Sequence, residues 1–370
     1  MGKSWLILAR SSSPTFSNDS KPRMPESNLI EERQRPRLPD WLRVRLPTTE
    51  SFAHTRALLD ELKLHTVCQS ARCPNHWECW SKRTATFMIG GDRCTRACRF
   101  CAVGTAKPLP LESDEPTRVA EAVQRMRLRH IVITGVARDD LPDGGADHFR
   151  RTIGAVRALN PRVVIEVLTP DFNANDSAIA AVLSARPNVF NHNLETVRRL
   201  SPAVRSRATY DRSLEVLAKV KEKAAGSIYT KSGLMLGLGE RREELLSALG
   251  DLRRVGCDIL TLGQYLQPTL RHLPVVEFIT PGQFEEYGQR AREMGFIHVA
   301  SGPKVRSSYH ADEFPASSDD DQMHGFGQVG RDAGDDVAFE QVDQGSAPAA
   351  AQHDGVNPEG GGDVDDGIGG

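Results

Sequence analysis

Six of the seven cysteines fall within 34 residues, in two groups of three. Cys94, Cys98 and Cys101 stand at C-x3-C-x2-C in "CTRACRFCAV", and Cys68, Cys73 and Cys79 at C-x4-C-x5-C in "CQSARCPNHWECW". Thiolates are soft ligands that select zinc, copper or iron–sulfur clusters. A structural zinc site normally closes with four protein ligands, and neither group supplies a fourth cysteine. A cubane iron–sulfur cluster held by three cysteines leaves one iron open to a small molecule, which is the better reading of the C-x3-C-x2-C group. For the C-x4-C-x5-C group, a second cluster stands against structural zinc with His65 or His76 as fourth ligand. A disulfide framework belongs to short secreted chains, and this chain has 370 residues with no recognisable signal peptide. Cys257 opens the apolar stretch "CDILTLG" and reads as a small buried core residue.

The cysteines need elements to hold them. Apolar, β-branched runs occur at 84–89, 130–136, 162–169, 188–193, 228–238 and 258–264. Amphipathic stretches of helical period lie between them at 116–127, 146–159, 176–185, 211–224 and 241–256, and a last helix and strand follow at 281–295 and 297–301. Strands alternating with helices predict parallel βα units. The fold class expected is α/β, a partial (βα)6 barrel of the TIM type, with a flat doubly wound sheet as the alternative. The glycine fingerprint of dinucleotide-binding sheets is missing after the first strand. Barrel chemistry sits at the C-terminal ends of the strands, and Cys94, Cys98 and Cys101 follow the first strand directly.

Around this core, residues 1–40 read as a disordered N-terminal arm, 41–82 as an extension carrying the second cysteine group, and 83–314 as the barrel. Residues 315–370 are rich in Gly and Asp and read as a disordered tail. That tail carries thirteen acidic residues against Arg331 alone, a net charge of -12, which leaves +10 on residues 1–314 of the total of -2. A basic folded part suits an acidic partner or an anionic cofactor, and the tail could fold back to compete for that surface. No apolar run approaches the length that spans a bilayer, so a cytoplasmic location without membrane or nucleic-acid partners is expected.

The two triads resemble those of the lipoyl synthases, a family of the radical S-adenosylmethionine (radical SAM) superfamily. The resemblance extends to "RDDLPDGGADHF" (138–149), "IEVLTPDF" (165–172), "NHNLETV" (191–197), "SGLMLGLGE" (232–240), "GQYLQP" (263–268) and "VRSSYHAD" (305–312). It covers roughly residues 40–312. Gly135 and Ala137 stand where the family has Ser and Asp, and Arg83 and Gly90 where it has Gly and Leu; none of these is a cluster ligand.

The resemblance implies the radical SAM barrel fold, S-adenosylmethionine and two 4Fe-4S clusters. Cys94, Cys98 and Cys101 would hold the cluster whose open iron takes S-adenosylmethionine, with Phe100 as the aromatic residue usual before the last cysteine. Cys68, Cys73 and Cys79 would hold an auxiliary cluster that donates sulfur and is consumed. Its fourth ligand would be a serine of "RSSY", with Ser308 expected and Ser307 as the alternative. Glu166, Asn193 and Gly237, near strand ends, are candidate cofactor or substrate contacts; "DDLPDGG" (139–145) reads as an acidic turn without an assigned role. The implied reaction inserts two sulfur atoms at carbons 6 and 8 of an octanoyl chain on a carrier-protein lysine and cleaves two S-adenosylmethionine molecules. Implied partners are the octanoylated lipoyl-carrier domains of 2-oxoacid dehydrogenases, the glycine-cleavage H-protein, and an electron donor such as ferredoxin or flavodoxin.

A sulfur-inserting enzyme resembling biotin synthase is the nearest rival, but it should lack the C-x4-C-x5-C group and the serine motif. A non-catalytic iron–sulfur electron carrier would want every iron closed by protein. Two cubane clusters predict about eight irons and eight sulfides per chain. Anaerobic iron and sulfide analysis checks this; zinc without inorganic sulfide at the C-x4-C-x5-C group would select the zinc alternative.

Overall fold

The computed structural model describes residues 37–43, 50–81 and 85–308, all within one unit, Met1–Asp319. The calls for an N-terminal arm (apart from residues 37–40) and an acidic tail lie outside the described residues.

Three short helices build the extension: α1 (Glu50–Glu61), α2 (Val67–Ser70) and α3 (His76–Ser81), with strand β1 (His65–Thr66) between the first two. The Phe52 ring stacks on Trp77 at 4.6 Å, and Trp80 is buried against Leu58 and Leu59. Strand β2 (Thr86–Ile89) then opens the barrel. A two-stranded ladder, β3 (Arg93–Cys94) with β4 (Gly104–Thr105), brackets the C-x3-C-x2-C loop. The remainder alternates: α4 (Glu115–Met126), β5 (His130–Gly135), α5 (Ala146–Leu159), β6 (Val164–Leu168), α6 (Asp176–Ser184), β7 (Val189–Asn191), α7 (Ser201–Val204), α8 (Tyr210–Ala224), β8 (Tyr229–Leu236), α9 (Arg242–Arg254), β9 (Ile259–Gln264), α10 (Pro281–Glu293) and β10 (His298–Gly302).

Several of these helices are sited by their caps. Asn175 accepts from the Ala178 N–H at 3.0 Å at the start of α6. Thr280 and Gln283 form a reciprocal capping box on α10, with Pro281 in its first turn. The expected helix at 146–159 matches α5 end to end, and the other expected barrel helices and strands are found within about two residues of their ends.

The main sheet has eight strands in the order β1-β2-β5-β6-β7-β8-β9-β10. Strand β1 runs antiparallel to β2 and the other pairings are parallel. Among the described residues the edges β1 and β10 do not pair with each other, so the sheet they form stays open. There are thus six βα units and a closing seventh parallel strand, a partial barrel as expected.

Side-chain alternation explains why this is a barrel and not a flat sheet. Phe87, Ile89, Ile131, Ile133, Ile165 and Val167 face outward into the core beneath α4, α5 and α6. Leu260 and Leu262 of β9 do the same beneath the later helices. Each fully buried side chain of this kind is worth about 1.5–3 kcal/mol. The alternate residues, Thr86, Met88, Thr134, Gly233, Thr261 and Gly263, line a central cavity instead. A flat doubly wound sheet would need apolar residues on both faces. Among the described residues no helix is long and apolar enough to cross a membrane.

Deeper in the barrel the inward positions carry charge. Lys231 Nζ of β8 donates to Glu166 of β6 at 2.9 Å, Asn191 Nδ2 donates to the same carboxylate at 2.9 Å, and His130 lies 3.6 Å away. Burial pushes the Glu166 carboxyl up, but Lys231, His130 and Asn191 outweigh it and hold it below the ordinary carboxylate value. Its contribution to stability is therefore present above the ordinary carboxylate pKa and is lost as pH falls through the lowered one. Lys231→Met removes the largest of the groups that oppose burial and leaves only His130 and Asn191, so the carboxyl rises and the variant recovers stability on acidification. The substitution is expected to cost about 3–5 kcal/mol at neutral pH. Thermal unfolding of variant and wild type at about pH 5 and pH 8 reads both effects; equal midpoints at the higher pH would refute them.

Candidate active site

All six clustered cysteines line one cavity of about 640 Å³ at the C-terminal ends of the strands, together with Phe100, Asn193, Ser307 and Ser308. The triads are separate in sequence and share this space because the extension packs against β2, the first strand of the barrel proper. All seven cysteines are free thiols.

In the C-x4-C-x5-C group, Cys68 sits in α2 and Cys79 in α3. Thr66 caps α2, and the Cys73 N–H donates to the Cys68 carbonyl at 3.0 Å. His76 turns away from the cavity: its Nδ1 donates to the Cys73 carbonyl at 3.0 Å and its ring packs among Phe52, Trp77 and Trp80. Neither His65 nor His76 lines the cavity. Among the described residues no three His, Cys, Asp or Glu side chains converge on a single metal ion. A cubane does not require such convergence, because each thiolate binds a different iron.

The C-x3-C-x2-C loop is pinned at nearly every residue. Thr95 N–H donates to the Ala137 carbonyl at 3.1 Å, and Thr95 Oγ1 donates to Asp139 at 2.9 Å. Arg96 pairs with Asp139 and Asp171, each at 2.7 Å, and all three side chains are largely buried. Ala97 N–H donates to Ser206 Oγ at 3.2 Å, and Arg99 N–H to the Val204 carbonyl at 2.9 Å. His272 Nε2 donates to the Cys101 carbonyl at 3.0 Å. The loop is thereby tied to segments following β5, β6, β7 and β9, with Cys94, Cys98 and Cys101 facing the cavity. Burial pushes the Cys101 thiol up to about 12 and Cys68 up to about 11. Both are protonated as free thiols, so metal loading there must release protons.

The other expected contacts divide. Phe100 lines the cavity and packs beside Val204, Leu238 and Tyr265. Asn193 lines it too; its Nδ2 donates to Ser307 Oγ at 2.7 Å, while its buried Oδ1 has no hydrogen-bond partner among the described residues. Glu166, expected as a contact, lies apart from this lining. It does not line the cavity, because it lies a turn of the pleat deeper on β6 and is committed to Lys231. Gly237 lies apart from it as well. It has φ +98 in the turn after β8, and a Cβ there would collide with Gln264 and the Glu277 carbonyl, so it shapes the turn instead of the cavity wall.

Sequence reasoning missed the Arg96–Asp139–Asp171 clamp and three further charges on the cavity. Glu195 and Arg205 line it on the side of Cys98 and Cys101. Burial pushes the Glu195 carboxyl up against the pull of Arg205, and burial pulls Arg205 down against Glu195, Cys98 and Asp171. Arg306, likewise pulled down by burial, faces Cys73. The "NHNLETV" and "VRSSYHAD" stretches contained Glu195 and Arg306, but nothing in their spacing distinguished them. The donor set suits two clusters: six thiols in two threes on one cavity, and a Ser308 hydroxyl with no hydrogen bond among the described residues.

The family model described as the N-terminal domain of lipoyl synthase of the radical SAM family matches residues 13–73, starting within the expected arm, and the model of the radical SAM superfamily matches residues 88–252. Lipoyl synthase of Shouchella clausii is 55% identical over 291 residues, which cover 78% of this chain and 93% of that protein. Lipoyl synthase of Chlorobium limicola is 54% identical over 286 residues, covering 77% and 97%. Lipoyl synthase 2 of Gloeobacter violaceus is 56% identical over 277 residues, covering 75% and 96%. Identity at this level over nearly the full length of each relative, in a chain whose two cysteine triads meet in one cavity, means that the chain belongs to the lipoyl synthase family of radical SAM enzymes.

Proposed function

We propose that this chain inserts two sulfur atoms at carbons 6 and 8 of an octanoyl chain carried on a protein lysine. The observation that carries this reading is the single cavity lined by both triads and by Ser307 and Ser308. Aliphatic C–H bonds have no group that would acidify them, so the acid–base side chains of the cavity cannot begin the reaction. Bound S-adenosylmethionine and its cluster supply the carbon radical that such bonds require, and the auxiliary cluster supplies sulfur.

The chain's own residues position these groups. Cys94, Cys98 and Cys101 hold one cluster with an iron left open, and Phe100 packs behind the loop. Arg205 and Glu195 offer opposite charges, suited to the carboxylate and ammonium of S-adenosylmethionine. Cys68, Cys73, Cys79 and Ser308 hold the auxiliary cluster. Val67, Met88, Val136, Leu168 and Met235 give the cavity an apolar wall for the octanoyl chain, where each buried methylene is worth about 0.8 kcal/mol. The net charge of +10 on residues 1–314 favours an acidic carrier: an octanoylated lipoyl-carrier domain of a 2-oxoacid dehydrogenase or glycine-cleavage H-protein. A ferredoxin or flavodoxin in the same cytoplasmic compartment would supply electrons.

Serine is a hard ligand on a soft cluster and should release iron more readily than a thiolate. Anaerobic turnover with an octanoylated carrier peptide is expected to add the mass of two sulfurs. Ser308→Cys is expected to keep the auxiliary cluster and slow or stop the second insertion. Full product at the normal rate would refute the release argument, and activity lost in Ser307→Ala but kept in Ser308→Ala would exchange the two serines.

A further inference from the structure

The segment that brings the serines to the cavity is the last described stretch of the chain, and it touches four residues remote from it in sequence. It leaves β10 by a turn in which the Val305 N–H donates to the Gly302 carbonyl at 3.1 Å. It then crosses the end of β9 so closely that a Cβ on Gly263 would collide with the Val305 carbonyl. The collision would be with backbone, which cannot swing aside as a side chain can. At Gly233 on neighbouring β8 a Cβ would meet Thr261 Oγ1 first, at 2.5 Å, and would lie 3.2 Å from Ser307 Oγ.

Two asparagines fasten the segment in this trough. Asn75, 2% exposed and placed between Cys73 and Cys79, donates from Nδ2 to the Lys304 carbonyl at 2.6 Å. That bond joins the cysteine half of the auxiliary ligand set directly to the serine half. Asn193 Nδ2 donates to Ser307 Oγ at 2.7 Å. Ser307 Oγ thus already accepts one hydrogen bond, whereas the next hydroxyl, that of Ser308, has none among the described residues.

We infer that Gly263, Asn75 and Asn193 are positioning residues that deliver the Ser308 hydroxyl to the auxiliary cluster. The inference rests on the reading above that Ser308 is that cluster's fourth ligand. A weakly held oxygen ligand depends on its preorganisation. Little bond energy is available to pull a loose strand into place, so the seat has to hold it there beforehand. The three cysteines need no such help, being fixed on α2, α3 and the loop between them.

The test isolates the auxiliary cluster by replacing Cys94, Cys98 and Cys101 with Ala throughout. Gly263→Ala, Asn75→Ala and Ser308→Ala are then compared with the otherwise unchanged chain by iron content, Mössbauer spectrum and rate of iron loss to a chelator. If the seat delivers the ligand, Gly263→Ala and Asn75→Ala retain the cluster, reproduce the spectral change of Ser308→Ala, and lose iron about 10-fold faster or more. Asn75→Ala keeps the test decisive should Gly263→Ala fail to fold. Unchanged spectra in both variants, with a changed one in Ser308→Ala, overturn the inference alone. Lower iron content with an unchanged spectrum of what remains also overturns it, because that is what a merely structural role would give. An unchanged spectrum in Ser308→Ala overturns the serine reading itself, and the inference with it.

Discussion

The site depends first on one buried ion-pair cluster. Arg96 lies between Cys94 and Cys98, and its guanidinium is shared by Asp139, after β5, and Asp171, after β6. Burial works against the charge on Arg96, but hydrogen bonds to both aspartates outweigh it and hold the guanidinium above its ordinary value. Burial also pushes Asp171 up, and Arg96 reverses this and holds it at about 2. Ion pairs taken out of water repay their desolvation only when the geometry is good and the remaining hydrogen bonds are made. Here Nε and Nη2 of one arginine engage Asp139 together, and Nη2 also reaches Asp171. The cluster turns a ten-residue loop with few apolar side chains of its own into a rigid part of the barrel mouth.

The open barrel makes the second half of the site possible. A closed eight-stranded barrel fills its interior with its own side chains. In this sheet β1 and β10 stay apart, and small or polar residues occupy the inward positions near the strand ends: Thr86, Thr134, Gly233, Thr261 and Gly263. The space they leave is taken by material from both ends of the folded region. The extension brings Cys68, Cys73 and Cys79 from one end, and residues 305–308 come from the other. Asn75 and Lys304, 229 residues apart in sequence, meet there.

The βα rhythm was legible because it is local. Apolar runs of strand length and helical-period stretches such as 146–159 carry their own signals, and α5 has the bounds its periodicity implies. The cysteine ligand sets were legible because soft-metal chemistry restricts residue type and spacing. Depth along a strand was not. Glu166 is inward-facing, as a contact to the cavity must be, but only the pairing of β6 with its neighbours puts it beside Lys231 instead of at the rim. Gly237 was ambiguous for a related reason: positive φ in a turn and close approach to a ligand select glycine equally well. The Arg96 clamp was illegible because its partners lie 43 and 75 residues away, and the "DDLPDGG" turn that supplies Asp139 shows only a run of acids. The short helices α1, α2, α3 and α7 went unread, their packing being decided by tertiary contacts such as Phe52 on Trp77.

Each triad also has a desolvated arginine at its side, and the two differ in how their charge is met. Arg205, near Cys98, has the Glu195 and Asp171 carboxylates as well as the thiol within electrostatic reach. Arg306, near Cys73, donates to the carbonyls of Pro303 and Val305 and pairs with no carboxylate among the described residues. Arg306 is half-buried, and a cation drawn partly out of water with no anion beside it is poorly compensated. Three thiolates and an alkoxide around a cluster carry negative charge, so an occupied auxiliary site would neutralise Arg306. On the Cys98 side carboxylates already face the arginine, which suits the zwitterionic ligand proposed for that side. On the Cys73 side no carboxylate among the described residues pairs with Arg306, so the proposed auxiliary cluster would stabilise the same segment that carries Ser308.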